Sequence, residues 1–404
     1  MTRTGRRRYS DRLNRSASTL PIALTVAFGV VVIVSFGTWF YGYGVLVEPI
    51  IEDTGWSESL LSTSYGLGLF AGGLGAILAG RLADRTGAKR VFAMAAFGSA
   101  VGTAVVATAP AVGVFTVAAI LTNGIVGAAG YYSLIHATIA RLAPAARHRA
   151  ITTNTLWGAF ASPVFLPLMA WLALSQGWRN AVAITGALVS LAFAAAALLV
   201  PAGASAPQGP HPSLLGGLGD AWRQRAIRLL LVAVFLGGIV TSVLFLYQVP
   251  TMVEAGLLLT TASALAGARG LFQLAGRLPL PWLVDRFGAR LVLRLSLGLI
   301  GTSSLLLLVS GHIVPAAAFI VLGGISVGAF TTLENIYATE VIDPSMFGTL
   351  LGLYSLVRGL GAALGPSGAG ALTDATSTRA WALVSIAVLA AVGGLLIPPR
   401  TSPS

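Results

Sequence analysis

Apolar residues run along this chain in long stretches almost free of charge, not in the alternating or one-sided patterns of soluble strands and helices. No Asp, Glu, Lys or Arg lies between Arg90 and Arg141, between Arg179 and Asp220, or between Arg294 and Glu334. A helix crosses the bilayer core with about 20 residues, so the first of these gaps holds two spans that turn near Pro110. The pattern predicts an all-α membrane protein of twelve spans. The first six cover 20–47, 58–80, 88–109, 112–140, 150–173 and 178–200. The last six cover 227–252, 261–283, 289–309, 313–339, 347–372 and 378–398. Pro201 to Trp222 is rich in Pro, Gly, Ala and Ser and reads as a linker. The expected organisation is a basic tail (1–19), a six-helix half (20–200), a linker (201–226), a second half (227–398) and a short tail (399–404).

Composition agrees. Only 9% of residues are charged, against roughly 25% in an ordinary soluble domain. Mean hydropathy is +0.85. Single soluble cores stop growing near ~250–300 residues, so lipid must cover much of this apolar surface. There is no cysteine, which excludes disulfides and thiolate metal sites. No Walker motif, metal-spaced His set or Ser–His–Asp group is present, so an enzyme is not expected, nor is a cofactor or a metal. The span beginning at Pro21 is too long for a signal-peptide core.

The net charge of +12 raises the possibility of nucleic-acid binding, but the basic residues sit in tails and short turns. One side collects six arginines of the N-terminal tail, then Arg81, Arg85, Lys89, Arg90, Arg141, Arg147, Arg149, Arg223, Arg225, Arg228, Arg286, Arg290 and Arg294. The other side holds Glu48, Glu52, Asp53, Glu58 and Glu254, with only Arg179 and Arg379. By the positive-inside rule the first side is cytoplasmic and both termini are inside. The turn from Glu340 to Phe347 departs from the rule, being acidic on the side expected to be inside.

The chain also repeats itself. Asp84-Arg85-Thr86-Gly87-Ala88-Lys89-Arg90 follows the second span, and Asp285-Arg286-Phe287-Gly288-Ala289-Arg290 follows the eighth. Ser162-Pro163 and Gly365-Pro366 form a second matched pair, in the fifth and eleventh spans. Such repeats build many transporters, with the substrate site between the halves near the midplane.

On these residues the chain resembles the major facilitator superfamily. Gly80 through Arg90 matches every position of that family's loop motif, G-x-x-x-D-[RK]-x-G-x-[RK]-[RK], in Gly80, Asp84, Arg85, Gly87, Lys89 and Arg90. The resemblance implies that Gly80 lets helices pack closely and that Asp84 bonds helix N-terminal amides or an arginine of the facing half. The second copy keeps Asp285 and Arg286 but has Pro281 in place of the first glycine. Within the family the chain looks most like the bacterial monocarboxylate and oxalate–formate carriers, through Gly55-Trp56-Ser57, Gly177-Trp178-Arg179, Gly276-Arg277 and Gly365-Pro366. It departs from the animal monocarboxylate carriers in lacking a lysine in helix 1 and in having Gln273 where they carry an aspartate. Asn123 stands near the place of the helix 4 arginine of many proton-coupled members.

A charge at bilayer depth costs ~2.5–3.5 kcal/mol on insertion scales and normally faces a cavity or a partner. Counting along the spans places Arg269 and Arg358 near the midplane, with Arg277 and Glu334 about two turns closer to the cytoplasm. Arg269, Gln273 and Arg277 share one helix face, and arginine's planar fork suits a carboxylate. The expected site is lined by Arg269, Gln273, Arg277 and Arg358, with Tyr131, Asn154, Tyr247 and Gln248 as further hydrogen-bonding candidates. Glu334 is expected to pair with Arg277 or to serve in coupling, and Arg358 to have no acidic partner at its depth. The implied function is secondary transport of a small, monocarboxylate-like anion by a monomer in the cytoplasmic membrane, as symporter or antiporter. Efflux of neutral compounds and a non-transporting sensor are the alternatives.

Overall fold

The computed structural model describes residues 20–202, 224–341 and 347–399. The basic tail, most of the linker and residues 342–346 between helices 10 and 11 lie outside the described residues, which form helices joined by short turns, with no strand among them. Helix 1 joins Ile22–Ser35, a π-helical turn Phe36–Tyr41, and Tyr43–Thr54. Helices 2 and 3 are Glu58–Thr86 and Ala88–Ala107. Helix 4 is Val112–Gly130 with Ser133–Leu142, helix 5 is Arg147–Gly158 with Ala161–Gln176, and helix 6 is Trp178–Leu199. The second set is helix 7 (Arg225–Glu254), helix 8 (Leu259–Arg277 with Leu280–Phe287) and helix 9 (Ala289–Leu306), then helices 10 (Ile313–Val341), 11 (Phe347–Thr376) and 12 (Ala380–Leu396).

Among the described residues nine helical stretches are long and apolar enough to span a bilayer unaided. Helix 12 has 17 residues. Helices 8 and 11 carry Arg269, Arg277 and Arg358 inside their length, which dilutes their apolar runs. Large apolar side chains such as Phe97, Leu198 and Leu395 point outward from the bundle, as a lipid-facing surface requires.

The turns after helices 2 and 8 are built alike. A single glycine separates consecutive helices, Gly87 at φ 86° and Gly288 at φ 80°. A side chain at that φ is strained, so only glycine joins the helices this tightly. The loop motif is therefore mostly helical, because helix 2 continues past residue 80 to Thr86.

The side where helix 1 begins and helix 12 ends is here called the terminal face, and the opposite side the far face. The halves meet from mid-depth to the far face. Gly66 lies so close to helix 11 that a Cβ would stand 2.3 Å from the Ala363 carbonyl oxygen. Ser162 Oγ reaches the Gly267 carbonyl at 3.4 Å. At the far face Asp374 accepts the backbone N–H groups of Glu58 (3.2 Å) and Ser59 (3.0 Å), capping helix 2 from the opposite half. Arg379 binds Glu58 through both Nε (2.9 Å) and Nη2 (2.6 Å), reaches Glu254 at 3.1 Å, and contacts Glu48. All of these polar contacts between the halves lie at Ser162 or on the far-face side of it.

Two expectations for the loop motif change here. A Cβ on Gly80 would meet open space, so in this conformation no close helix contact depends on it. Asp84 pairs with Arg141 of its own half, and among the described residues it bonds nothing in the facing half. Arg85, Lys89, Arg90, Asp285 and Arg286 are exposed.

Candidate functional site

A cavity of about 150 Å³ lies between the halves on the terminal side of their contact. Broken backbone converges on it. The π-turn of helix 1 contributes Phe36, Phe40 and Tyr41, and the break in helix 4 contributes Tyr132, held at φ 67°. The break in helix 5 supplies Gly158 and Ala159, and the last turn before the Pro279 break in helix 8 supplies Gln273, Leu274 and Arg277. Irregular backbone at membrane depth is tolerated where it lines a cavity, and π-turns concentrate at functional sites. Ser162, Phe245, Gly270, Thr331 and Arg358 complete the wall.

Of the four residues expected to line the site, Gln273, Arg277 and Arg358 do so. Arg277 approaches no carboxylate among the described residues, and its buried Nε has no hydrogen-bond partner. Arg358 donates from Nε to Glu334 Oε1 at 2.8 Å. This corrects two expectations at once: Glu334 pairs with Arg358 and not with Arg277, and Arg358 does have an acid at its depth. Counting residues along upright helices ignores helix tilt and the reach of an arginine, and helices 10 and 11 bring the two together. Glu334 is 4% exposed and Arg358 32%, so the pair presents its basic end to the cavity. Oε2 of Glu334 has no partner among the described residues.

Arg269 is the exception. It is fully buried, outside the cavity wall. Its Nε donates to Gln248 Oε1 at 2.7 Å, which makes Gln248 a holder of Arg269. Tyr247 is also absent from the cavity: its hydroxyl lies 3.2 Å from Thr373 Oγ1 and its ring under Arg379, on the far-face side. Tyr131 donates to Asn123 Oδ1 at 3.0 Å and stacks on Phe36 at 4.5 Å, a brace behind the wall. Asn154 is buried beside His136 with no well-formed hydrogen bond at either amide atom.

Sequence reasoning misses the aromatic wall and the far-face ion cluster. The one available signal is the density of rings in Phe36-Gly37-Thr38-Trp39-Phe40-Tyr41-Gly42-Tyr43, interrupted by glycines in an otherwise aliphatic span.

The Major Facilitator Superfamily model matches residues 27–268 and 248–404, together almost the whole chain. The chain belongs to that superfamily. No curated protein matches the sequence. Solved major facilitator structures share its fold. A point mutant of a nucleoside transporter, NupG, aligns at TM-score 0.79 and 15% identity, over 93% of this chain and 98% of the other. An auto-inhibited peptide transporter of the POT family aligns at 0.72 and 16%, over 93% and 96%. A bacterial homolog of the human lysosomal transporter Spinster, inward-facing and occupied, aligns at 0.69 and 16%, over 93% and 95%. At such identities the likeness concerns the fold alone. This facilitator is a multi-pass membrane transporter of small molecules.

Proposed function

We propose that the chain is a secondary active transporter for a small organic anion of the monocarboxylate type, working across the cytoplasmic membrane by alternating access. The observation that carries this reading is Arg277, a cation on the cavity wall with no carboxylate partner among the described residues. An unpaired charge at this depth is costly unless water or a counter-ion reaches it. Gln273, one turn away, adds amide donors, and Arg358 turns its guanidinium to the same space while Glu334 neutralises it from behind. The balance is one net positive charge, which suits a single carboxylate.

A second reading, efflux of neutral or hydrophobic compounds, draws on the rings of Phe36, Phe40, Tyr41, Tyr132 and Phe245 in the same wall. Counterflow in proteoliposomes separates the two. Carboxylates such as pyruvate, formate and benzoate should exchange, with neutral analogues such as benzamide exchanging far less. In Arg277→Gln the exchange of carboxylates should fall at least tenfold. Equal exchange of benzoate and benzamide by both forms would remove the anion reading and leave the neutral one.

In this proposal the terminal face is cytoplasmic. The chain has no native cysteine, so a cysteine at exposed Ala145, between helices 4 and 5, should be labelled only from inside. One at exposed Gln176, between helices 5 and 6, should be labelled only from outside. The reverse pattern would invert the topology.

A further inference from the structure

Arg269 is buried to 0% exposure, and both terminal nitrogens of its guanidinium lack any hydrogen-bond partner among the described residues. Only Nε is used, by Gln248. Among the described residues no carboxylate pairs with it. A desolvated guanidinium with four unsatisfied N–H bonds, at bilayer depth, is among the least favourable arrangements a membrane helix can hold. The fold holds this one directly behind the cavity. Phe245 lines the cavity and also carries the Arg269 guanidinium over its ring, 4.7 Å from the centroid.

Phe245 is one part of a partition. Phe40 lies 5.2 Å from it and Tyr41 packs edge-on at 5.6 Å. Phe40 and Tyr41 come from the π-turn of helix 1 in the first half, whereas Phe245 and Arg269 come from helices 7 and 8 in the second. The ring partition therefore crosses the boundary between the halves. Arg269 and Arg277 lie on one helix face, eight residues or about 12 Å apart at 1.5 Å per residue. Arg277 faces the cavity, and Arg269 lies sealed behind the rings.

We propose that Arg269 is a second anion site, occluded in this conformation and opened when the halves rock apart at the far face. Parting the halves draws Phe40 and Tyr41 away from Phe245 and uncovers the fork of Nη1 and Nη2. A small carboxylate then binds there through two parallel N–H···O bonds. On the return stroke it passes from Arg269 to Arg277 along helix 8. The anion's identity as a carboxylate rests on the function proposed above; the occlusion and exposure of Arg269 do not.

Two measurements test this on the full chain in proteoliposomes. In the first, Arg269→Cys is treated with the membrane-impermeant anionic thiol reagent MTSES from each side, alone and in an Arg379→Gln background that breaks the far-face cluster. Labelling from the far side is expected, faster by about tenfold in the Arg379→Gln background. If Arg269→Cys does not insert, Gln248→Cys reports on the same space. Inertness of the cysteine from the far side in both backgrounds overturns the proposal. In the second, Arg269→Gln is expected to raise the half-saturating benzoate or pyruvate concentration at the far face at least tenfold, with less than a threefold change at the terminal face. Arg277→Gln should do the opposite. Equal effects of Arg269→Gln at both faces, or none, also overturn it. Should the wild-type protein exchange neither anion, the anion reading fails, and labelling alone decides whether Arg269 becomes exposed.

Discussion

The two faces of this transporter use charge in opposite ways. At the far face Arg379, 6% exposed, draws Glu48 and Glu58 from the first half and Glu254 from the second onto one guanidinium, and Asp374 caps helix 2 across the same boundary. At the terminal face the motif aspartate, Asp84, pairs with Arg141 inside its own half, both partly exposed. Charges that cross the boundary hold one conformation of the pair of halves, whereas charges that stay within a half hold only that half together. The capping role expected of Asp84 is played on the opposite side by Asp374. An acid stands near each end of the helix 2–helix 11 contact, Asp84 and Asp374, and the one that bonds across the boundary marks the closed face.

The strongest way to break this asymmetry is at Arg379. Arg379→Gln leaves Glu48, Glu58 and Glu254 without their shared cation, and burial already pushes the Glu48 carboxyl above the usual range, against the pull of Arg379. Removing one partner of a buried ion pair costs about 3–5 kcal/mol. A cysteine at Thr373, buried at the far-face contact, should then be labelled from that side much faster than in the parent. Unchanged labelling would show that the cluster does not hold the face shut.

Next in size is the pair in the cavity wall. Arg358→Gln strands Glu334, which is 4% exposed, and should abolish most transport. Because stranding one charge costs more than losing the pair, Arg358→Gln with Glu334→Gln should recover stability, measured as the unfolding midpoint of the purified protein. If Arg358 serves substrate directly, affinity stays low in that double variant. Arg358→Lys keeps the charge but loses the fork and should weaken binding.

Asp374→Ala removes the cap on the Glu58 and Ser59 amides, a loss of about 0.5–2 kcal/mol by analogy with N-caps. Thr373 labelling in that variant should rise, but less than in Arg379→Gln. Smallest of all should be Asp84→Asn, where a partly exposed pair is worth about 0–1 kcal/mol. Far-face labelling should stay as it was, while transport slows severalfold if the carboxylate works in the opposite conformation. A large rise in far-face labelling in Asp84→Asn would abolish the contrast between the faces.

Much of the fold can be read in the sequence because lipid writes its requirement directly into the chain: a stretch such as Arg90 to Arg141 with no charge admits little else. The pairing of the Gly87 and Gly288 turns is equally readable, since a one-residue joint at positive φ leaves a fixed glycine inside a repeated motif. The cavity is readable along the membrane normal but not around it. Position in sequence gives depth and helical phase, so Arg269, Gln273 and Arg277 fall on one face of helix 8. Which part of that face meets open space depends on how helices 1 and 7 lean across it, and that puts Arg269 behind Phe245. Tyr247 and Gln248 fall outside the cavity for the same reason. Depth alone separates Glu334 from Arg358, because it ignores the tilt of helices 10 and 11 and the length of an arginine.

The π-turn at Phe36–Tyr41 has a consequence for angular phase. Its wider turn, seen where the Gly42 N–H reaches the Gly37 carbonyl at 2.8 Å, absorbs one residue more than an α-helix would hold in the same rise. Everything beyond it on helix 1 is rotated by about 100°, the angle of one residue at 3.6 per turn. That rotation is what points Glu48 at Arg379 and Tyr43 at Ser64. Removing a single residue between 36 and 41 would let the segment relax to an ordinary α-helix. The terminal-face end of the helix would keep its place, while Glu48 would swing round the axis and off the cluster. One short turn beside the cavity thus sets the aim of a lock some 10 Å or more away along the helix axis at 1.5 Å per residue.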